Sequence, residues 1–217
     1  GRMKEKQTTI YFITADGFAA AKNSPHLEIF RKLGVEVLLL HDRIDEWVVS
    51  TLTEFEGKPL QSIAKGGLDL SALGDEAAKK EEEQQAEEHK GLIERMQSVL
   101  SDRASAVRAT HRLTDSPACL VSDEHGMSTN LERMLKAAGQ NVPTSKPVLE
   151  INPGHPIVRR LGDETDERKF ADWSQILFDQ ATLAEGGQLE DPAAFVKRLN
   201  ELMLTLAGGG PSRIWTP

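Results

Sequence analysis

The segment TTIYFITADGFAAAKNSPHLEIFRKLGVEVLLL (Thr8–Leu40) changes period several times within thirty-odd residues, and its reading sets the fold class. "TTIYFITA" (Thr8–Ala15) is β-branched and aromatic, which is strand composition. "GFAAAK" reads as a short helix, broken at "NSP". Ser24 can cap a second helix with Pro25 at its first position. That helix carries Leu27, Phe30 and Leu33 and stops at Gly34. "VEVLLL" (Val35–Leu40) is a continuous apolar run, as expected of a strand covered on both faces. "DRIDEWVVSTL" then gives a helix with Asp42 as N-cap and Asp45 in its first turn, and "LQSIAK" (Leu60–Lys65) a third strand. Strand, helix, strand, helix, strand with short connections predicts a small three-layer α/β unit with a short parallel sheet over residues 1–74.

Residues 75–217 read as a second, mixed α+β unit. From Asp75 to Lys90 seven acidic and three basic residues leave a local charge of −4, the pattern of an exposed helical connector over about 75–101. Its later part gains an apolar face (Leu92, Met96, Val99, Leu100) and is expected to dock. "AVRATHRL" and "ACLVSDE" read as an antiparallel strand pair joined through Pro117. "PVLEINPGHPIVRRL" gives a strand, a turn and a short helix, so "NPGHP" (Asn152–Pro156) is read as structural. Two long helical patterns close the chain. One presents Phe170, Trp173, Leu177 and Ala184. The other opens at Asp191–Pro192 and presents Phe195, Leu199, Leu202, Met203 and Leu206.

Bulk properties narrow the function. A net charge of −8 argues against a general phosphate-binding surface, so no nucleic-acid partner is expected. No apolar run approaches the ~18 residues of a membrane span and no signal-peptide pattern opens the chain, so no membrane association is expected. The single cysteine, Cys119, rules out an internal disulfide framework and suits a reducing, cytoplasmic setting. No phosphate-binding glycine loop, dinucleotide fingerprint or nucleophile elbow is present; "EGKP" has a Gly–Lys pair, but proline stands where the hydroxyl residue belongs. The histidines are scattered and no metal site is expected. Cys119 with His111 could form a nucleophile and base, but Cys119 lies in an apolar strand and reads as a buried structural thiol. No catalytic residue is assigned.

"GMSTNLERMLKAAG" (Gly126–Gly139) is strongly one-sided. Met127, Leu131, Met134, Leu135 and Ala138 share one helical face; Ser128, Thr129, Asn130, Glu132, Arg133 and Lys136 share the other. Burying that stripe could contribute on the order of 10 kcal/mol, which favours a place in the core. Two methionines favour the opposite, an adaptable surface, as does the flexible polar approach "DEHG". On "DEWVVSTL", Val48 and Leu52 form the inward face, with Trp47 at the edge beside Glu46 and Ser50.

Several long segments together carry a family resemblance: "RMKEKQTTIYFITADGFAAAKNSPHLEIFRKLGVEVLLLHDRIDEWVVSTLTEFEGKPLQS", "THRLTDSPACLVSDEHGMS", "AAGQNVP" and "LEINPGHPIV". In this order they resemble the ninety-kilodalton heat-shock protein chaperones, bacterial HtpG type, over nearly the whole chain. Only the acidic connector and the tail "GGGPSRIWTP" are unmatched, and the tail lacks the acidic motif by which cytosolic eukaryotic members recruit helical-repeat cochaperones. The resemblance implies the end of the middle domain (1–74) followed by the C-terminal dimerisation domain (75–217). It further implies that the N-terminal ATPase domain is absent, so that the chain is not itself an enzyme and holds neither ATP nor Mg, which that domain would bind in the full-length stress-response protein. Its partners are then a second copy and unfolded or partly folded clients. The client residues it implies are Met127, Leu131, Met134 and Leu135, with Trp47, Glu46 and Ser50. Phe170, Trp173, Leu177, Phe195, Leu199, Leu202, Met203 and Leu206 would form a four-helix bundle with the second copy, and Gly66–Gly67 a hinge. Two rivals stand beside this reading: a small α/β enzyme using Asp16, His41 and Asp42 at the strand ends, and a purely structural dimerisation module.

Overall fold

The computed structural model describes residues 2–68, 70, 84–123, 126–142 and 145–206, the side chains of 129, 130, 137 and 206 excepted. The acidic run up to residue 83, the tail from 207 and the centre of "DEHG" lie outside the described residues.

The first unit comprises β1 (Ile10–Thr14), α1 (Phe18–Asn23), α2 (Glu28–Leu33), β2 (Val37–Leu40), α3 (Asp45–Thr51), β3 (Glu54–Phe55) and β4 (Lys58–Ser62). The strand order is β2-β1-β4-β3. β1 is parallel to both β2 and β4, while β3 pairs antiparallel with β4, so the sheet is mixed rather than parallel throughout. The hairpin turns at Glu56 and Gly57, both at positive φ. Two-residue β3 is too short to leave an alternation pattern, which is why the sequence does not announce it.

Ser24 caps a single 3₁₀ turn (Pro25–Leu27) by accepting from the His26 amide at 3.3 Å, and α2 ends on Gly34 in the left-handed region at φ 62°. These ends turn Ile29 and Phe30 onto Tyr11 and Ile13, and with Ala21, Leu27, Val35 and Ile63 they close the first core. Strand β2 departs from expectation. It is the sheet edge, and Leu38 is exposed, because only one of its faces is covered.

The second unit comprises α4 (Lys90–Leu100), β5 (Ala106–Ala109), β6 (Ala118–Val121), α5 (Thr129–Ala137), β7 (Val148–Ile151), α6 (Pro156–Gly162), α7 (Glu167–Ala184) and α8 (Pro192–Leu206). β5 and β6 do not pair with each other. β7 lies between them, parallel to β5 and antiparallel to β6. Both Leu149 and Ile151 of that central strand are wholly buried, which explains its place better than chain proximity does. The second core gathers Met96, Leu100, Leu149, Ile151, Val158, Leu161, Phe170 and Leu177, and α4 docks through Met96 and Leu100 as its late apolar face implies. In "NPGHP", Asn152 Oδ1 accepts from the Gly154 amide at 3.0 Å and His155 Nδ1 from the Ile157 amide at 3.2 Å, a turn and a helix cap.

Between the two cores lies a buried polar seam. Arg112 donates to the Ile63 carbonyl at 2.7 Å and sits 2.9 Å from Glu150 Oε2. His26 is fully buried, with Nδ1 3.3 Å from Arg112 Nη1 and Nε2 2.9 Å from Glu185 Oε1. Arg108 closes the other side of Glu150 at 2.6 Å. Burial pushes the Glu150 carboxyl up, but the Arg112 and Arg108 cations outweigh it and hold it below the usual carboxylate range. A depressed carboxylate stabilises the fold above its ordinary pKa of about 4.3 and loses that contribution as pH falls through the lowered value. Thermal melts are therefore expected to be flat above about pH 5 and to decline in acid, with Glu150→Gln removing part of that decline.

Candidate functional site

One cleft of about 660 Å³ joins the two units. β1 and β4 contribute Phe12, Thr14, Leu60 and Ser62; α3 contributes Glu46, Val49 and Ser50; the start of α5 contributes Met127, Ser128 and Leu131. Ser128 is the keystone. Its Oγ accepts from the Leu131 amide at 3.1 Å, capping α5, and donates to Glu46 Oε2 at 2.9 Å. Lys65 Nζ donates to the Gly126 carbonyl at 2.7 Å, a second tie between the first unit and the start of α5. A serine just ahead of an amphipathic run is a cap signal; its second bond, to Glu46, leaves no trace in sequence.

The polar side of α5 is the docked side. Glu132 is buried beside Lys136 Nζ at 2.6 Å, and Arg133 reaches both Asp16 and the Gly186 carbonyl. The apolar stripe is turned the other way. Met127 is exposed and Leu131, Met134 and Leu135 are half-buried, none of them in either core. Long polar side chains anchor the helix by their tips, which leaves the apolar face free of a core to fill.

Of the residues expected to contact clients, the cleft brings together Glu46, Ser50, Met127 and Leu131, with the hinge residue Gly66; Trp47, Met134 and Leu135 lie outside its lining. Glu46 is buried, not a rim residue, because Ser128 holds it inward. Val48 and Leu52 are not the inward face. They are exposed along with Ile44 (63%) and Trp47 (49%), and Phe55 follows at 55%. Seven residues span only two turns of α3, too few for the spacing of apolar residues to fix which side turns inward. The result is an apolar strip on α3 next to the cleft. Gly66 donates its amide to the Ser122 carbonyl at 2.9 Å, beside an isolated bridge between Lys65 and Ser122; Gly67 alone has a left-handed φ, 72°.

The residues assigned to a subunit interface divide. Phe170 and Leu177 are buried in their own core, while Trp173 packs against it and is half-buried. Phe195, Leu199 and Leu202 are half-buried, Met203 is exposed, and the Leu206 side chain lies outside the described residues. Leu183, Val196 and Leu204 are exposed as well, so the unfilled apolar surface belongs chiefly to α8.

Asp16, His41 and Asp42 do not assemble. Asp16 is engaged by Arg133, His41 Nδ1 is 3.9 Å from Asp42 on the surface, and none of them lines the cleft. The Cys119 thiol is fully buried, and burial first, then Glu150, pushes its pKa well above the ordinary value, the opposite of an activated nucleophile. No helix among the described residues is long and apolar enough to cross a membrane.

The model of the Hsp90 protein family matches residues 1–212. The chaperone protein HtpG of Dechloromonas aromatica is 65% identical over 207 residues, covering 95% of this chain and 32% of that protein. That of Aromatoleum aromaticum is 64% identical with the same coverage. That of Alkalilimnicola ehrlichii is 56% identical over 212 residues, covering 98% of this chain and 32% of that protein. The chain thus spans roughly a third of the length of these curated relatives. These matches overturn two expectations: that the chain is not an enzyme, and that it holds neither ATP nor Mg. The family model runs over residues 1–212, and both exclusions are withdrawn.

Proposed function

The chain belongs to the Hsp90 protein family, and on that footing we propose that it pairs with a second copy and holds non-native polypeptide for an ATP-dependent chaperone of the cytoplasm. The observation that carries this reading is the stripe Met127, Leu131, Met134 and Leu135, exposed at Met127 and half-buried beyond it, set beside the cleft, with exposed Ile44 just before α3 and Trp47 and Val48 on it. Exposed apolar side chains flanking one cleft suit an interaction site, and methionine lets it accept clients of varied shape. The two separate cores support assigning residues 1–74 to the end of the family's middle domain and 75–217 to its C-terminal dimerisation domain. The exposed apolar residues of α8 support a four-helix bundle with the second copy. Pairing sets two stripes across one opening, so weak contacts gain avidity. Gly67 is the pivot that would let the units move.

The test is Met127, Leu131 and Leu135 replaced together by serine. Suppression of client aggregation is expected to fall by an order of magnitude or more, since three apolar contacts are each worth on the order of 1 kcal/mol, while sedimentation still reports the dimer. Full suppression by the intact variant dimer would sink the reading.

A further inference from the structure

Glu28 makes more bonds than a half-exposed surface carboxylate needs for its own helix. Its Oε2 accepts the amides of Thr114 (2.6 Å), Asp115 (2.8 Å) and Ser116 (3.2 Å), and its Oε1 accepts the Ser116 hydroxyl at 2.5 Å. All these donors lie in the β5–β6 connection of the other unit, 86 to 88 residues away. The reciprocal contact comes from Arg112, whose guanidinium donates to the carbonyls of Ile63 (2.7 Å) and Lys65 (3.4 Å) in the first unit. Each unit therefore reads the other's backbone with one charged side chain. Lys65, the residue so gripped, lines the cleft and holds the Gly126 carbonyl at the start of α5.

We propose that Glu28 is a positioning residue for the cleft: by clasping the 114–116 turn against α2 it fixes where α5 begins relative to α3. This rests on reading the cleft as the client site. Three features favour positioning over plain stability. The four side-chain bonds of Glu28 given above all cross the seam. Ile29 and Phe30 are buried in the first core, which Glu28 itself does not enter. And among the described residues α5 is tied to the first unit through Lys65, Ser128 and the Arg133–Asp16 pair, so its placement follows how the two units are set against each other. Burial raises the Glu28 pKa, but the Asp115 amide, the Ser116 hydroxyl and the Thr114 and Ser116 amides hold it below the usual value, so the clasp is charged at neutral pH.

The test uses the whole chain with nitroxide labels at two exposed sites, Arg43→Cys before α3 and Gln140→Cys after α5, with Cys119 buried and unlabelled. Labelled chain is diluted into unlabelled chain so that only distances within one chain are read. Glu28→Gln keeps the shape but loses the charge, and is expected to shift the clasped-to-open ratio by about tenfold or more, seen as a broadened, longer distance distribution. Retention of a permanently unfolded, reduced and alkylated α-lactalbumin should fall with it, while sedimentation is unchanged. Ser116→Ala removes one bond only and should give a smaller change in the same direction, which covers the case in which Glu28→Gln fails to fold. A distribution unchanged in both variants overturns the proposal. A broadened one with undiminished client retention upholds the clasp and counts against the cleft as the client site.

Discussion

Arg112→Met is expected to destabilise the chain by about 3–5 kcal/mol, the usual cost of leaving a buried charge without its partner. At 2–4 °C per kcal/mol for a chain of this size, the melting midpoint falls by roughly 10 °C. The cost arises because Glu150 is nearly wholly buried between Arg112, 2.9 Å from its Oε2, and Arg108, 2.6 Å from its Oε1, and the Cys119 thiol 4.0 Å from Oε2 carries no charge to replace Arg112. The same change frees the carbonyls of Ile63 and Lys65 and removes the neighbour of His26 Nδ1. Adding Glu150→Leu should recover a large part of the loss, because a matched apolar pair often replaces a buried ion pair without penalty. Calorimetry of the two single variants and the double gives the coupling directly. Additive effects would show that Arg112 acts on the carbonyls alone.

Phe170→Ala is expected to cost about 3–5 kcal/mol of subunit stability, as deletion of a buried aromatic does. Phe170 is fully enclosed and carries the Arg95 guanidinium 3.8 Å above its ring. Its loss should lower the melting midpoint at every protein concentration. Val196→Glu with Met203→Glu should do the reverse: both are exposed on α8, so the variant should melt nearly as the parent monomer does but sediment as a single chain. A dimer that survives the two glutamates, or one that Phe170→Ala dissociates without unfolding, would return the interface to α7.

How much of this was legible beforehand depends on the kind of signal. The α/β order of the first unit follows from period changes and from Ser24, Pro25 and Gly34, which act locally; the structure keeps Gly34 as the stop of α2 and puts Ser24 and Pro25 at the head of the 3₁₀ turn that leads into it. β7 between β5 and β6 could not be read, since strand neighbours are chosen by burial of Leu149 and Ile151 across long range, while sequence proximity pointed to the hairpin. The stripe on α5 was visible as amphipathicity, but which face would dock was not, because Arg133 binds Asp16 and the Gly186 carbonyl, both distant in sequence. In short α3 the inward side went to Glu46, an acid, through its bond to Ser128 82 residues away. Phe170 and Phe195 looked alike as stripe residues; only the packing of α4 and the central sheet on α7 separates a core position from a free face.

The most direct measurement of client holding is methyl NMR of the five methionines, Met3, Met96, Met127, Met134 and Met203, in the whole chain with and without an unfolded apolar client. Client is predicted to shift and broaden Met127 and Met134, leave the buried Met96 in place, and spare Met203 on α8. Silence at Met127 and Met134 while the client is demonstrably bound would contradict it.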